Sequence, residues 1–177
     1  MTNRRRAALL LSLILAVAGC ATSRNLDHTV NDFGASTELK AALFADRKHD
    51  YGDIDTTIYE GRLLLTGTMV SEQGRQKLVE NARKAGGISE IIDDVVIGER
   101  TSFGQGVEDT RIDATLRARL VASKEVDSED VKIAVSKGVV YLLGAASDEA
   151  ELNAALDIAR SVSGVDKVVS HLLLKAR

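Results

Sequence analysis

The strongest constraint on this chain is that it repeats itself. A shift of 77 residues sets 32–98 against 109–175 without a gap, with about 14 identities in 67 positions. Leu39 falls on Leu116, Leu43 on Leu120 and Asp53 on Asp130. Gly61, Gly67 and Gly87 fall on Gly138, Gly144 and Gly164, and most other apolar positions exchange for apolar ones. Glycines kept in step mark turns, where the backbone needs a residue without a side chain. The chain therefore uses one supersecondary unit twice. A unit of this size buries little surface by itself, so the copies are expected to pack on each other or on a partner.

Each copy reads as α-β-β-α-β. In the second, Ile112, Leu116 and Leu120 recur at helical spacing, with Asp109 available as an N-cap. Residues 131–135 alternate with period two, Lys137-Gly138 is a turn, and 139–143 completes a hairpin. Ser147-Asp148-Glu149 opens a second helix that runs to about 162, Ser163-Gly164 stops it, and 165–175 is the last strand. The first copy gives helices at 36–45 and 71–84 and strands at 54–59, 62–69 and 88–97. A β-α-β ending crosses over right-handed, which makes its two strands parallel. The expected fold class is α+β: two tandem modules, 32–98 and 109–177, each a three-stranded mixed sheet with two helices on one face. Residues 99–108, ERTSFGQGVE, read as a linker.

The N-terminus reads as a secretory signal over 1–19. Arg4, Arg5 and Arg6 precede an apolar run from Ala7 to Ala18 in which Ser12 is the one polar residue. That run falls short of the roughly 20 residues a spanning helix needs. It ends in Val17-Ala18-Gly19-Cys20, which resembles the bacterial lipobox, where the thiol takes a diacylglyceryl group and becomes the new N-terminus. Cys20 is the only cysteine, so its acylation leaves no thiol for a disulfide, a metal or nucleophilic attack. One acyl chain holds marginally, and two or three hold firmly. Ala21 in place of Asp points to the outer membrane in enteric-type sorting. Residues 20–31 are then the lipidated cysteine and a flexible polar tether that extends at most roughly 35–40 Å.

The chain carries −3, and loss of the three signal arginines leaves about −6. An acidic body argues against general nucleic-acid binding, which depends on neutralising phosphates. Any attraction to anionic lipid must be local. Copy one carries about −4 and copy two about −1. The first helix of copy two and its end hold Arg111, Arg117, Arg119 and Lys124, with Asp113 the one acid among them. The matching stretch of copy one, with Glu38, Lys40, Asp46 and Arg47, is balanced. On a wheel Ile112, Leu116 and Leu120 face inward, and Ala114, Arg117 and Val121 face outward. A basic helix with an apolar spot suits anionic headgroups, although a plain solvated face would read the same.

The unit with GRLLLTG and GVVYLLG on its second strand and SVSGVDKVVS entering its last resembles the BON domain. The pair behind a lipobox is similar to the dual-BON outer-membrane lipoproteins of the DolP (YraP) type. The likeness is densest over 104–174, in Gly104-Gln105-Gly106, Asp109-Thr110 and ALDIARSVSGVDKV. The resemblance implies attachment to phospholipid at the periplasmic face of the outer membrane and support of envelope integrity, with no catalysis and no cofactor. The expected lipid contacts are Arg111, Ala114, Arg117, Val121 and Lys124, with possible outer-membrane protein partners and no small-molecule substrate. One departure stands out: DolP-type proteins start this helix with an aromatic residue, where this chain has Arg111. Soluble OsmY-type proteins share the tandem and lack the lipobox. A protein-interaction module and a stress-induced periplasmic chaperone are the alternatives.

No catalytic constellation is legible. His28, His49 and His171 lie far apart without carboxylate pairs at ligand spacing and read as incidental. Asp93-Asp94 sits in a strand, where neighbouring side chains face opposite ways, so a shared metal is not expected. Ser102 and Ser136 lack a nucleophile-elbow context. Gly86-Gly87 follows a helix and reads as a C-cap rather than a phosphate loop.

Overall fold

The computed structural model describes residues 23–176, with side-chain surroundings from residue 30 onward. The signal at 1–19 and Cys20 lie outside the described residues.

The repeat holds element by element. The first module comprises α1 (Ser23–Ala45), β1 (Ile54–Tyr59), β2 (Arg62–Met69), α2 (Glu72–Lys84), β3 (Glu90–Asp93) and β4 (Val96–Ile97). The second comprises α3 (Phe103–Ala122), β5 (Val131–Ser136), β6 (Val139–Ala146), α4 (Glu149–Arg160) and β7 (Lys167–Leu174). In each, the hairpin is antiparallel and the strand after the second helix runs parallel to the middle strand, as the crossover rule requires. The third strand of the first module is split: β3 and β4 both pair with β2, whereas β7 is continuous. At the break Asp93 Oδ1 accepts the Val95 N–H at 3.2 Å, a local bond that competes with the ladder.

Both hairpins close through two-residue type I′ turns. Glu60 and Gly61 have φ of 49° and 76°, and Lys137 and Gly138 have 50° and 76°. A side chain at positive φ is strained, and a carboxylate from the first helix of the module compensates. Asp109 accepts the N–H groups of Lys137 (2.8 Å) and Gly138 (2.9 Å). Asp32 accepts those of Glu60 (2.7 Å) and Gly61 (2.8 Å). Asp109 is therefore not the N-cap that its position before the apolar run suggested. It lies inside α3 and clamps the hairpin beneath it.

Alternation along the middle strands sorts residues between two environments. Leu63 and Leu65 face the helices with Leu39 and Leu78; Val140 and Leu142 do the same with Ile112, Leu116 and Ala155. The opposite faces pack the two sheets on each other: Tyr59 and Leu64 meet Ala134, Tyr141 and Leu143. Leu64 and Tyr141 are the same position in the two repeats. Polar bonds cross this seam. Tyr59 Oη donates to Asp130 Oδ1 at 2.9 Å, and Arg62 Nη1 donates to the His171 carbonyl at 2.9 Å. Burial, followed by the bond to Asp130, pushes the Tyr59 phenol well above its usual range.

Two helix starts differ from the expectation, and both differences lengthen the helix. α1 begins at Ser23, so 23–31 is helix and not the flexible tether read over 20–31. With no proline to interrupt it, adding turns to an existing helix costs far less than nucleating one. At a rise of about 1.5 Å per residue it also shortens the reach. α3 begins at Phe103, inside the expected linker at 99–108. Ser102 Oγ accepts the Gln105 N–H at 3.3 Å as N-cap, and Gln105 Nε2 donates to Asp109 at 3.0 Å. Gly104 and Gly106 have nothing within contact distance of a would-be Cβ, so each costs the helix only its propensity, about 1 kcal/mol.

Candidate lipid-contact surface

The extension of α3 changes what its outer face carries. Phe103 is 89 % exposed, Val107 55 % and Val121 72 %. With Ala114, also exposed, they fall within about 40° of one another on a wheel of 3.6 residues per turn. The inward stripe of Ile112, Leu116 and Leu120 is fully buried, as expected.

The five expected contact residues divide. Ala114 and Val121 lie on the outward stripe, and Arg117 flanks it. Lys124 follows the end of the helix, exposed, with no carboxylate in ion-pair range among the described residues. Arg111 is turned aside. Its guanidinium binds Glu108 at 2.5 Å and donates to the Ser163 carbonyl at 2.7 Å, which ties α3 to the end of α4. That pair holds Glu108 below, and Arg111 above, its ordinary range. Arg117 is paired with Asp113 at 2.8 and 2.9 Å. Arg119 donates to the Ser161 carbonyl at 3.0 Å and its hydroxyl at 2.7 Å. The face is thus less cationic and more apolar than the sequence suggests.

Phe103 and Val107 are what the sequence reading missed. The glycines at 104 and 106 made the segment look like a linker. The signal was the spacing: 103, 107, 114 and 121 step by four, seven and seven. Phe103 also supplies, two turns upstream, an aromatic residue on the face where Arg111 lacks one.

The two histidines whose side chains are described, His49 and His171, are engaged, and the side chain of His28 lies outside the described residues. His49 Nδ1 lies 2.9 Å from Asp46 Oδ2, which also accepts Tyr51 Oη at 2.8 Å. His171, read as incidental, lies 2.6 Å from Asp94 across the seam between modules. Asp93, the last residue of β3, turns the other way, to Arg75 at 2.9 Å, and Asp94 falls in the break before β4, so the acidic pair is divided. Among the described residues no group of three or more His, Cys, Asp or Glu is placed to hold a metal ion. Among them, too, no helix is long and apolar enough to cross a membrane.

These features define a two-module α+β protein whose repeats pack sheet to sheet and leave a long first helix of each exposed. The chain belongs to the BON-domain family: the family model matches it twice, at 31–99 and 108–176. Among curated proteins it is 32% identical over 126 residues to an uncharacterized protein of the gshII 5′ region of Anaplasma centrale, covering 71% of this chain and 83% of that one. It is 29% identical over 118 residues to the outer membrane lipoprotein DolP of Haemophilus influenzae, covering 67% and 61%. To the osmotically-inducible protein Y of Escherichia coli it is 26% identical over 157 residues, covering 88% and 78%.

Proposed function

We propose that this chain is an envelope lipoprotein, held by acyl groups on Cys20 at the periplasmic face of the outer membrane. Its second module engages anionic phospholipid through the outward face of α3 and so supports envelope integrity. The observation that carries the reading is the stripe Phe103, Val107, Ala114 and Val121, exposed along the whole of α3 with Arg117 and Lys124 beside it. Such a face gains by burial at the headgroup boundary. A tethered body needs only weak affinity there, because the anchor supplies a high local concentration. The family and its outer-membrane relative agree with the reading. No catalytic role is assigned.

The test is co-sedimentation of the unacylated chain from Ala21 onward with anionic and zwitterionic vesicles. Binding should favour anionic vesicles and fall as salt rises past about 0.15 M, where the Debye length is roughly 8 Å. Val121→Asp and Phe103→Asp should each reduce it, and Arg117→Glu with Lys124→Glu should abolish the anionic preference. Equal binding to both vesicle types would remove the electrostatic part of the reading.

A second reading has its own observation. Val96 and Ile97 on β4 and Leu173 and Leu174 on β7 are exposed apolar residues on edge strands, at equivalent positions of the two repeats. Edge strands accept an added strand from another protein. If vesicles are ignored and Val96→Lys or Leu173→Lys abolishes capture of envelope proteins, the module is a protein-interaction one.

A further inference from the structure

We propose that the outward face of α1, in the first module, is a bilayer-docking face of its own, used in place of the α3 face rather than together with it, because the sheets pack on each other and turn the two helices to opposite sides of the molecule. Phe33 and Phe44 reach the acyl boundary, and Lys40, Arg47 and Lys48 lie at the phosphates. The proposal rests on the membrane reading above and uses different residues. On charge alone copy one looked unsuited, because Glu38 and Asp46 sit beside Lys40 and Arg47. The fold takes both acids off the outer face. Glu38 accepts the Gly86 N–H at 2.8 Å, at the end of α2. Asp46 turns under the helix end, where His49, the Lys48 N–H and Tyr51 bind it. Those bonds hold its carboxyl well below the usual range. Lys40, Arg47 and Lys48 stay exposed, and among the described residues none has a carboxylate in ion-pair range.

The apolar part is stronger than on α3. Val30 is 67 % exposed, Phe33 74 % and Phe44 75 %. The repeat sets Val30 on Val107, Lys40 on Arg117, Phe44 on Val121 and Arg47 on Lys124, so α1 carries the same stripe with aromatics added. Arg47 stacks over the Phe44 ring at 4.9 Å from its centroid, an arrangement that places a ring at the acyl boundary and its cation among headgroups. Beside this pair lies an open hollow of about 600 Å³, walled by Lys40, Arg47 and Lys48. Of the other acids that wall it, Asp50 is bound by Arg100, while Asp55 is exposed.

Chain continuity names the occupant. Only Ala21 and Thr22 separate Cys20 from the start of α1, a span of at most about 10 Å. Acyl chains on Cys20 therefore bring the bilayer to the N-terminus of this helix. With 23 residues α1 is about 35 Å long, and its stripe runs along it, so it can lie flat on the surface.

The chain has no tryptophan, so single-tryptophan variants report position directly. Full-length protein purified from membranes is mixed with phosphatidylethanolamine–phosphatidylglycerol vesicles that carry brominated acyl chains. Phe33→Trp and Phe44→Trp should be quenched and blue-shifted, and Leu174→Trp, on β7, should not. Lys40→Gln with Arg47→Gln should weaken surface affinity by roughly 25-fold, about fivefold for each cation, and lower quenching of the Phe44→Trp probe. Circular dichroism confirms that each variant folds. If only Phe103→Trp and Val121→Trp probes are quenched, the α1 contact is wrong and the α3 reading stands. Quenching at α1 alone supports the proposal and removes the α3 reading. Quenching nowhere, or as strong at Leu174→Trp, overturns both.

Discussion

His171 Nε2 lies 2.6 Å from Asp94 Oδ2, and the two residues occupy the same position in the two repeats. Equivalent residues touch only where a two-fold relation passes between them, so the modules meet as a symmetric dimer does, within one chain. The pair is half-buried and charge-assisted. Asp94→Ala and His171→Ala should each destabilise by about 1–2 kcal/mol. The double variant should cost little more than either, with a coupling of at least about 0.5 kcal/mol. Urea unfolding of the four proteins measures it; additive single effects would remove the bond from the interface.

Gly67 and Gly144 should be the least replaceable positions. Their φ values are +110° and +141°, and a Cβ on either would overlap the carbonyl oxygen of Asp53 or Asp130. Alanine at either is expected to cost about 3 kcal/mol or more, from strain and displaced backbone together. The effect should be similar in both modules. A thermal melt close to that of the parent protein would contradict the shared geometry.

The clamp on the hairpin gives a graded expectation. Asp109→Ala leaves the Lys137 and Gly138 N–H groups without their acceptor and should cost about 2–4 kcal/mol. Asp109→Asn keeps one acceptor oxygen and should cost about half as much. Equal losses for the two variants, read by denaturant unfolding, would argue against the double hydrogen bond.

Glu151 links stability to acid. Burial pushes its pKa up, but the Ser147 hydroxyl and N–H and the Asp127 N–H pull it down further, and the net shift is downward. A lowered folded pKa makes the stabilisation complete above the ordinary value of about 4.5 and lost as pH falls through the folded one. The gap in stability between the parent protein and Glu151→Gln should be widest near neutral pH and close below that value. A gap that does not change with pH would remove the linkage.

For the anchor, mass spectrometry of protein extracted from membranes should find an acylated N-terminal Cys20. Cys20→Ser should leave the protein uncleaved or release it into the soluble fraction. A mature N-terminus at another, unmodified residue would overturn this.

The architecture was legible because it depends on periodicity. Leu39, Leu63 and Leu65, like Leu116, Val140 and Leu142, recur at the spacing their elements impose, and the paired glycines fix the turns whatever surrounds them. What local reading misjudged were positions whose role depends on a partner distant in sequence. Asp109 looked like a cap because it precedes an apolar run; only the folded hairpin brings Lys137 and Gly138 to its carboxylate. Phe103 looked like linker because glycines flank it, and helix propensity alone could not weigh two glycines against the Ser102 cap.

By itself, then, the sequence determined the repeat, the element order, the parallel crossover and the inward stripes, all of which follow from local chemistry and chain handedness. The tertiary structure decided where charge is available. Arg111 is tied to the Ser163 carbonyl and Glu38 to the Gly86 N–H, partners far off in sequence, while Lys40, Arg47 and Lys124 have no carboxylate in ion-pair range among the described residues. The sheet-to-sheet seam, with His171 on Asp94, was likewise decided there. A charge's net effect depends on which side chains lie within a few ångströms of it, and that distance is set only once the chain has folded.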